Sequence, residues 1–338
     1  MVKSDRARDE RTTIRAAVSA HRHPSLGRSL WQVANTFLPF FALCAVMYWT
    51  VQALPYWVTL LVAVLAGGFV VRAFIIQHDC GHGSFFQARW ANTLLGSVCS
   101  LLTFTPYAAW KRQHAGHHAH WNNLDHRASG ADIYSSCLTV EEYQQLPRWR
   151  QRAYRAARHP LVSQLLLPPL VFLLLYRVPF DTPAAWRNER RAVYLTNLGL
   201  AAAFLALGFS FGFVPALMVQ LPIIITASII GVWLFSVQHR FEDTLWARRD
   251  EWDFVAASIE GSSFLKLPRL LQWFTGNIGY HHIHHLDPRI PNYRLEACHN
   301  ANPVLQRAPV LTLRTSLGAG AHALWDEAQR RMVRFPKT

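Results

Sequence analysis

Along the chain, apolar residues collect into long runs separated by polar blocks, and this alternation sets the architecture before anything else does. A run of about 20 apolar residues matches the hydrocarbon core of a bilayer, a length that soluble cores rarely need. Four runs reach it: about 35–52 (Asn35–Gln52), 56–76 (Tyr56–Ile76), 192–210 (Ala192–Ser210) and 213–235 (Phe213–Phe235). Two shorter apolar runs, about 91–105 and 161–176, are ambiguous by length alone. Polar residues fill Arg112–Pro160, Arg177–Arg191 and Arg240–Thr338. The connectors at Ala53–Pro55 and Phe211–Gly212 are so short that the four long runs must pair as two hairpins. Polar segments on either side of 91–105 are rich in histidine, and they can meet only if that run does not cross. Both shorter runs are therefore expected to be interfacial or re-entrant. The expected fold is all-α: a multi-pass membrane protein with four transmembrane helices, interfacial helices and a cytoplasmic helical cap. Its expected divisions are a basic N-terminal arm (1–33), a main domain (34–300) and a cytoplasmic C-terminal tail (301–338).

Composition agrees with the runs. Half of the 338 residues are apolar and 16% are charged, against about 25% in a soluble domain. A formal net charge of +14 would suggest nucleic acid in a soluble protein, but its placement argues otherwise. Both hairpin connectors lack Lys and Arg, whereas the first 30 residues hold seven. Basic residues stay in the cytoplasm, so both termini and all polar blocks are expected there, with no nucleic-acid partner. Five scattered cysteines without CxxC spacing indicate neither a zinc ribbon nor a disulfide framework.

The 17 histidines add the chemistry. His78 and His82 form HxxxH; His114, His117 and His118 form HxxHH, with His120 just beyond. His281, His284 and His285 form a second HxxHH enclosing His282. Positions i, i+3 and i+4 share one helix face, so each box can aim its imidazoles at one point. Eight imidazoles beside a bilayer are expensive to bury without partners. Neutral imidazole is the commonest metal ligand and suits Fe, Zn, Cu and Ni. Eight ligands exceed what one ion takes, so two metals follow from the count. The chain lacks HExxH, and its one Glu-x-x-His pair, Glu296 to His299, does not make a carboxylate-bridged di-iron bundle. On its residues alone, His239 at the end of the last long run is either a ligand or an ordinary membrane-end histidine.

At these residues the chain resembles the membrane-bound fatty-acid desaturase family. The resemblance is carried by HDCGHGSFF (His78–Phe86), WKRQHAGHHAHWNN (Trp110–Asn123) and TGNIGYHHIHHLDPRIPNY (Thr275–Tyr293), extended by WLFSVQHRFED (Trp233–Asp243) and GSSFLKLP (Gly261–Pro268). It is closest to acyl-lipid desaturases of the bacterial Δ5 and omega-6 (Δ12) type, since the first box is HxxxH where the acyl-CoA branch has HxxxxH. The resemblance implies an O₂-dependent oxidoreductase that places a cis double bond in an acyl chain, with two Fe ions as a di-iron cofactor and O₂ as co-substrate. It also implies iron ligation by the eight box histidines, and by His239 as a ninth. The asparagine that holds a metal-bound water in the acyl-CoA branch, four residues before that histidine, is replaced here by Phe235. Asn277, His120, His282, Asp79 and Glu242 lie near expected ligands and are candidates to orient them, with turn or surface roles as the alternative.

Electrons must come from elsewhere, because the chain has no HPGG haem motif, no GxGxxG and no cysteine cluster. An external donor of ferredoxin type is expected, and the basic residues Lys111, Arg112, Arg148, Arg150, Arg152 and Arg155 would attract an acidic one or bind lipid headgroups. The expected substrate is the acyl chain of a membrane phospholipid. A hydroxylase, acetylenase or decarboxylase on the same scaffold is the nearest alternative, and a non-catalytic metal-binding or transport protein a more distant one. The position of the double bond is not legible in these motifs.

Overall fold

In a computed structural model the described residues are 12–14, 16–127 and 136–336. Much of the basic arm, at residues 1–11 and 15, lies outside them. Four helices among the described residues are long and apolar enough to cross a membrane. These are α1 (Leu26–Ala53) and α2 (Tyr56–His82), then, after the two polar-flanked shorter runs, Arg187–Phe211 and Phe213–His239. Helices are the natural solution here, since lipid cannot satisfy backbone N–H and C=O groups.

Each helix outlasts its apolar run on one side. α2 continues six residues past Ile76, and the last long helix continues past Phe235 to His239. At about 1.5 Å per residue, a 27-residue helix reaches about 40 Å, some 10 Å more than the hydrocarbon core. The overhang carries His78, His82 and His239 beyond the apolar run while keeping them on rigid helix. α2 is the central element, packed against α1, the fourth long helix and the short helix α3 (Arg89–Thr103). Close approach to the fourth long helix depends on Gly67, where an added Cβ would lie 2.9 Å from Thr226.

α3 is too short to cross at about 22 Å. It buries Asn92, Gly96, Cys99, Ser100 and Thr103 on one face and exposes Trp90, Leu94 and Val98 on the other. It leads through Pro106 into α4 (Tyr107–His120), which bears the second box. The run at 161–176 is broken: a π-turn at Leu161–Leu166, an α-segment at Leu167–Leu173 containing Pro168 and Pro169, then a 3₁₀ turn at Leu175–Arg177. It meets the preceding helix α5 (Arg148–Arg158) at 56°. α5 has no buried residue and carries Arg148, Arg150, Arg152, Arg155 and Arg158; taken together, α5 and the broken run are long and apolar enough for one further span, bent or re-entrant. Numbering continues with α6 (Arg187–Phe211), α7 (Phe213–His239) and α8 (His281–Leu286).

The polar cap is helical with two small sheets, which the helical reading did not anticipate. β1 (Leu138–Thr139) pairs in parallel with Leu324–Asp326, which pairs antiparallel with Arg331–Val333; Phe264–Lys266 pairs in parallel with Val310–Thr312. Residues 301–338 thus return onto the cap as far as they are described. Arg240, just past α7, donates to the carbonyls of Gly320 and His322. From the N-terminal side, Ile14 and Val18 are buried against Ile283, Leu286 and Leu295, behind the third histidine box.

Candidate metal centre

Two successive left-handed residues, Gly276 (φ 52°) and Asn277 (φ 58°), end the helix before the third box and reverse the chain into α8. This turn brings His281, His284 and His285 onto the ends of α2, α4 and α7. The nine histidines expected as ligands gather into two groups. His78, His82, His114, His118 and His284 form one; His117, His239, His281 and His285 form the other, and within each group the candidate ligand atoms lie within 4.8 Å of one another. His239 therefore sits among box histidines. The second box is divided: His114 and His118, one helical turn apart, face one group, and His117 faces the other.

Contacts between imidazoles are made through Nε2. His281 and His239 approach to 2.9 Å, His117 and His239 to 3.2 Å, and His285 and His281 to 3.1 Å. In the other group His284 and His118 are 2.9 Å apart and His118 and His114 3.1 Å. Adjacent ligands are about 3.0 Å apart around a six-coordinate ion with bonds of about 2.1 Å, and about 3.4 Å apart around a tetrahedral one. The spacings are close enough for neighbouring imidazoles in each group to share one ion. Buried His82 Nε2 has no protein hydrogen-bond partner, nor has Nδ1 of His118, His239 or His281. A donor set of converging, proton-poor imidazoles is what a pair of metal ions needs, so the residues fit.

Burial sets the electrostatics. It holds the pKa of His114, His118, His281, His284 and His285 well below the usual imidazole range, with neighbouring imidazoles adding to the effect. All five are thus neutral and ready to ligate at neutral pH. The sign of the linkage follows. Unfolded histidine takes up protons below about pH 6.5 while these five do not, so stability rises with pH up to that point and is level above it. The metal-stripped protein should show a melting temperature that is flat above about pH 7 and falls on acidification below about pH 6.5. A profile flat to pH 5 would contradict this.

Neighbouring groups sort the remaining candidates. Asp79 is buried with Oδ1 3.5 Å from His78 Nδ1, and its Oδ2 accepts from the backbone N–H of Asn292 at 2.7 Å and from Asn292 Nδ2 at 2.8 Å. His282 turns away from both groups: its Nε2 lies 3.1 Å from His299 Nδ1 and 2.9 Å from the carbonyl oxygen of Leu305, and burial lowers its pKa to about 3. Asn277 bonds Gln272 and the carbonyl of Asn292. His120 stacks on His126 at 4.8 Å, and Glu242 pairs with Arg331 at the surface.

Aromatic walls enclose the centre. Trp110 stacks on His114 at 4.6 Å, and Trp121 lies 4.0 Å from His239 with its N–H donated to the carbonyl of Gly261. Phe235, at the position noted for its missing asparagine, packs against His117 and His239 at 5.4 and 5.0 Å. Sequence reasoning missed Trp121 and Asn292. A signal existed for each, as both lie within the segments that carry the boxes. An apolar cavity begins at the centre, touching His78, His114 and His281. It runs between α2 and α7 past Phe74, Val70, Ala227 and Ile224.

Four membrane-length helices whose ends gather two buried histidine clusters define an integral membrane protein with a histidine-built metal site. The family model for fatty acid desaturases matches residues 54–312. The chain is 46% identical to a fatty acid desaturase of Bacillus subtilis over 318 residues, covering 94% of this chain and 89% of that protein. It is 26% identical to an sn-1 oleoyl-lipid 12-desaturase of Synechocystis, covering 76% and 72%, and 28% identical to a chloroplastic omega-3 fatty acid desaturase of Glycine max, covering 86% and 64%. The chain belongs to the fatty acid desaturase family and is an oxidoreductase acting on lipid.

Proposed function

We propose that this desaturase places a cis double bond in the acyl chain of a membrane glycerolipid, using O₂ and two irons held by His78, His82, His114, His117, His118, His239, His281, His284 and His285. The observation that carries this reading is the apolar cavity that starts at histidines of both clusters and descends between two membrane helices. Iron, once bound, supplies the oxidising power to take hydrogen from two adjacent CH₂ groups, with O₂ and two delivered electrons ending as water. The chain's own residues do the rest. Val70, Phe74, Ala227 and Ile224 hold the hydrocarbon by burial. Trp110, Trp121 and Phe235 wall the ligands from water and fix their rings. Asp79, itself held by Asn292, favours His78 oriented with Nδ1 toward the carboxylate, leaving Nε2 for metal.

The glycerolipid substrate is supported by the oleoyl-lipid specificity in the name of the Synechocystis relative. A bacterial inner membrane location is supported by the Bacillus subtilis relative, and the charge rule supports an orientation with the histidine centre and both termini on the cytoplasmic side. A ferredoxin-like donor would meet the arginines of α5 there, four of which are the expected docking residues. Arg112 is less available, being paired with Glu189 at 2.9 Å.

Expression in a host without desaturases, followed by positional analysis of its membrane lipids, tests the reading. Cis-unsaturated chains that appear only in air and within phospholipids are expected. Hydroxylated chains or terminal alkenes would overturn desaturation in favour of the related chemistries.

A further inference from the structure

A second cavity, of about 550 Å³, opens at the N-terminal end of α1, apart from the acyl cavity. Its lining differs in kind: Arg28, Arg72 and Arg269 contribute three guanidinium groups, against the single carboxylate of Glu296. The rest is mainly amide and indole. None of the three arginines forms an ion pair among the described residues. Arg72 is the sharpest case, because it lies within α2 and is only 5% exposed. Its hydrogen bonds run to neutral acceptors, Thr36 Oγ1 at 3.1 Å, Asn35 Oδ1 at 3.3 Å and the carbonyl of Trp273, and its guanidinium lies 3.9 Å from the Trp273 ring centroid. A buried cation inside a membrane helix without a counter-ion is costly. Arg28 is also poorly placed on its own, since it stands in the first turn of α1, where the helix dipole disfavours a cation and no acidic residue compensates.

These features share one remedy, an anion seated between the three arginines. We propose that this pocket binds the phosphodiester headgroup of an anionic phospholipid, at a site distinct from the acyl cavity. The pocket's volume exceeds by far the roughly 10–15 Å³ that holds one water on the same measure. Trp31, which lines the pocket, is 69% exposed, and Leu30 and Leu38 elsewhere on α1 are exposed as well, an arrangement suited to the membrane interface. A wall separates the two cavities, with Asn277 lining this one and its neighbour Ile278 lining the other, and with Ile75 packed on Gly276. The pocket nevertheless touches the metal centre indirectly. Asn292 on its lining accepts a 3.0 Å hydrogen bond from Gln32 and itself fixes Asp79 beside His78. An occupied pocket would therefore brace the residues that hold His78.

The test uses the full chain purified in a neutral detergent. Short-chain phosphatidylglycerol, short-chain phosphatidylcholine and inorganic phosphate are titrated separately while the melting temperature is followed, since a ligand of the native state raises it. Phosphatidylglycerol should stabilise the protein, phosphatidylcholine less, and phosphate not at all. Arg28→Gln with Arg269→Gln removes two exposed charges at little risk to folding. The double variant should bind phosphatidylglycerol about tenfold or more weakly while melting normally without lipid. Equal stabilisation by inorganic phosphate would show a free-phosphate site and overturn the lipid assignment. Unchanged phosphatidylglycerol binding in the double variant, or none in the parent protein, would overturn the site itself.

Discussion

Alanine in place of His239 is expected to abolish product formation and to lower bound metal from about two to about one ion per chain. The side chain is fully buried at the end of α7, and its Nε2 is within 3.2 Å of both His117 and His281. Its group has four histidines where the other has five, so its loss leaves three imidazoles. Removing even an outer partner of a ligand costs 10- to 100-fold in metal affinity or activity, so loss of a ligand should exceed about a hundredfold. The measurements are metal per chain on the purified variant and unsaturated lipid in the expressing host. The variant should still reach the membrane, because the span that carries the residue is set by the apolar run ending at Phe235. Normal metal content with normal product would remove His239 from the centre.

How much of this was legible in advance depended on how local the signal was. Spans follow from run length, a property of contiguous residues, and all four runs became membrane-length helices. The boxes were legible for a similar reason, as i, i+3 and i+4 positions face together on any helix. The split of the second box between two groups was not. It depends on α4 passing between the ends of α2 and α7, which is long-range packing. His239 shows the same limit, since one histidine at a span end has no periodicity to betray it. Asn292 acts through a carboxylate 213 positions earlier, and Trp121 through the carbonyl of Gly261. The small parallel pairings, such as Phe264–Lys266 with Val310–Thr312, join segments of two or three residues too short to show a strand pattern. Helix overhang escaped the reading because hydropathy marks where lipid ends, while helix geometry continues until the hydrogen-bond ladder does.

A bulky side chain at Gly231 is expected to block the acyl cavity while leaving the metal centre intact. Gly231 lines that cavity from α7, and a Cβ built there meets nothing within 4 Å. At Gly67 on α2 the same atom would collide with Thr226, whereas at Gly231 a larger side chain has room to enter the cavity. Gly231 precedes His239 by two helical turns, which places it about 12 Å along the helix from the centre. It stands one turn from both Ala227 and Phe235, which line the same cavity. Gly231→Phe would therefore project a ring across the path of the hydrocarbon beyond the reacting carbons. Product from long acyl chains should fall by about tenfold or more, with shorter chains spared, and Gly231→Ala should stay close to the parent. Misfolding is a poor competing explanation, because replacing glycine by phenylalanine inside a helix carries no propensity cost and a gain of at most a few tenths of a kcal/mol, and the added Cβ meets nothing within 4 Å. Metal content separates obstruction from damage to the ligands: it should be unchanged in Gly231→Phe and reduced in His239→Ala. Undiminished long-chain product from Gly231→Phe would mean that the acyl chain does not run between α2 and α7, and the proposed substrate path would fall with it.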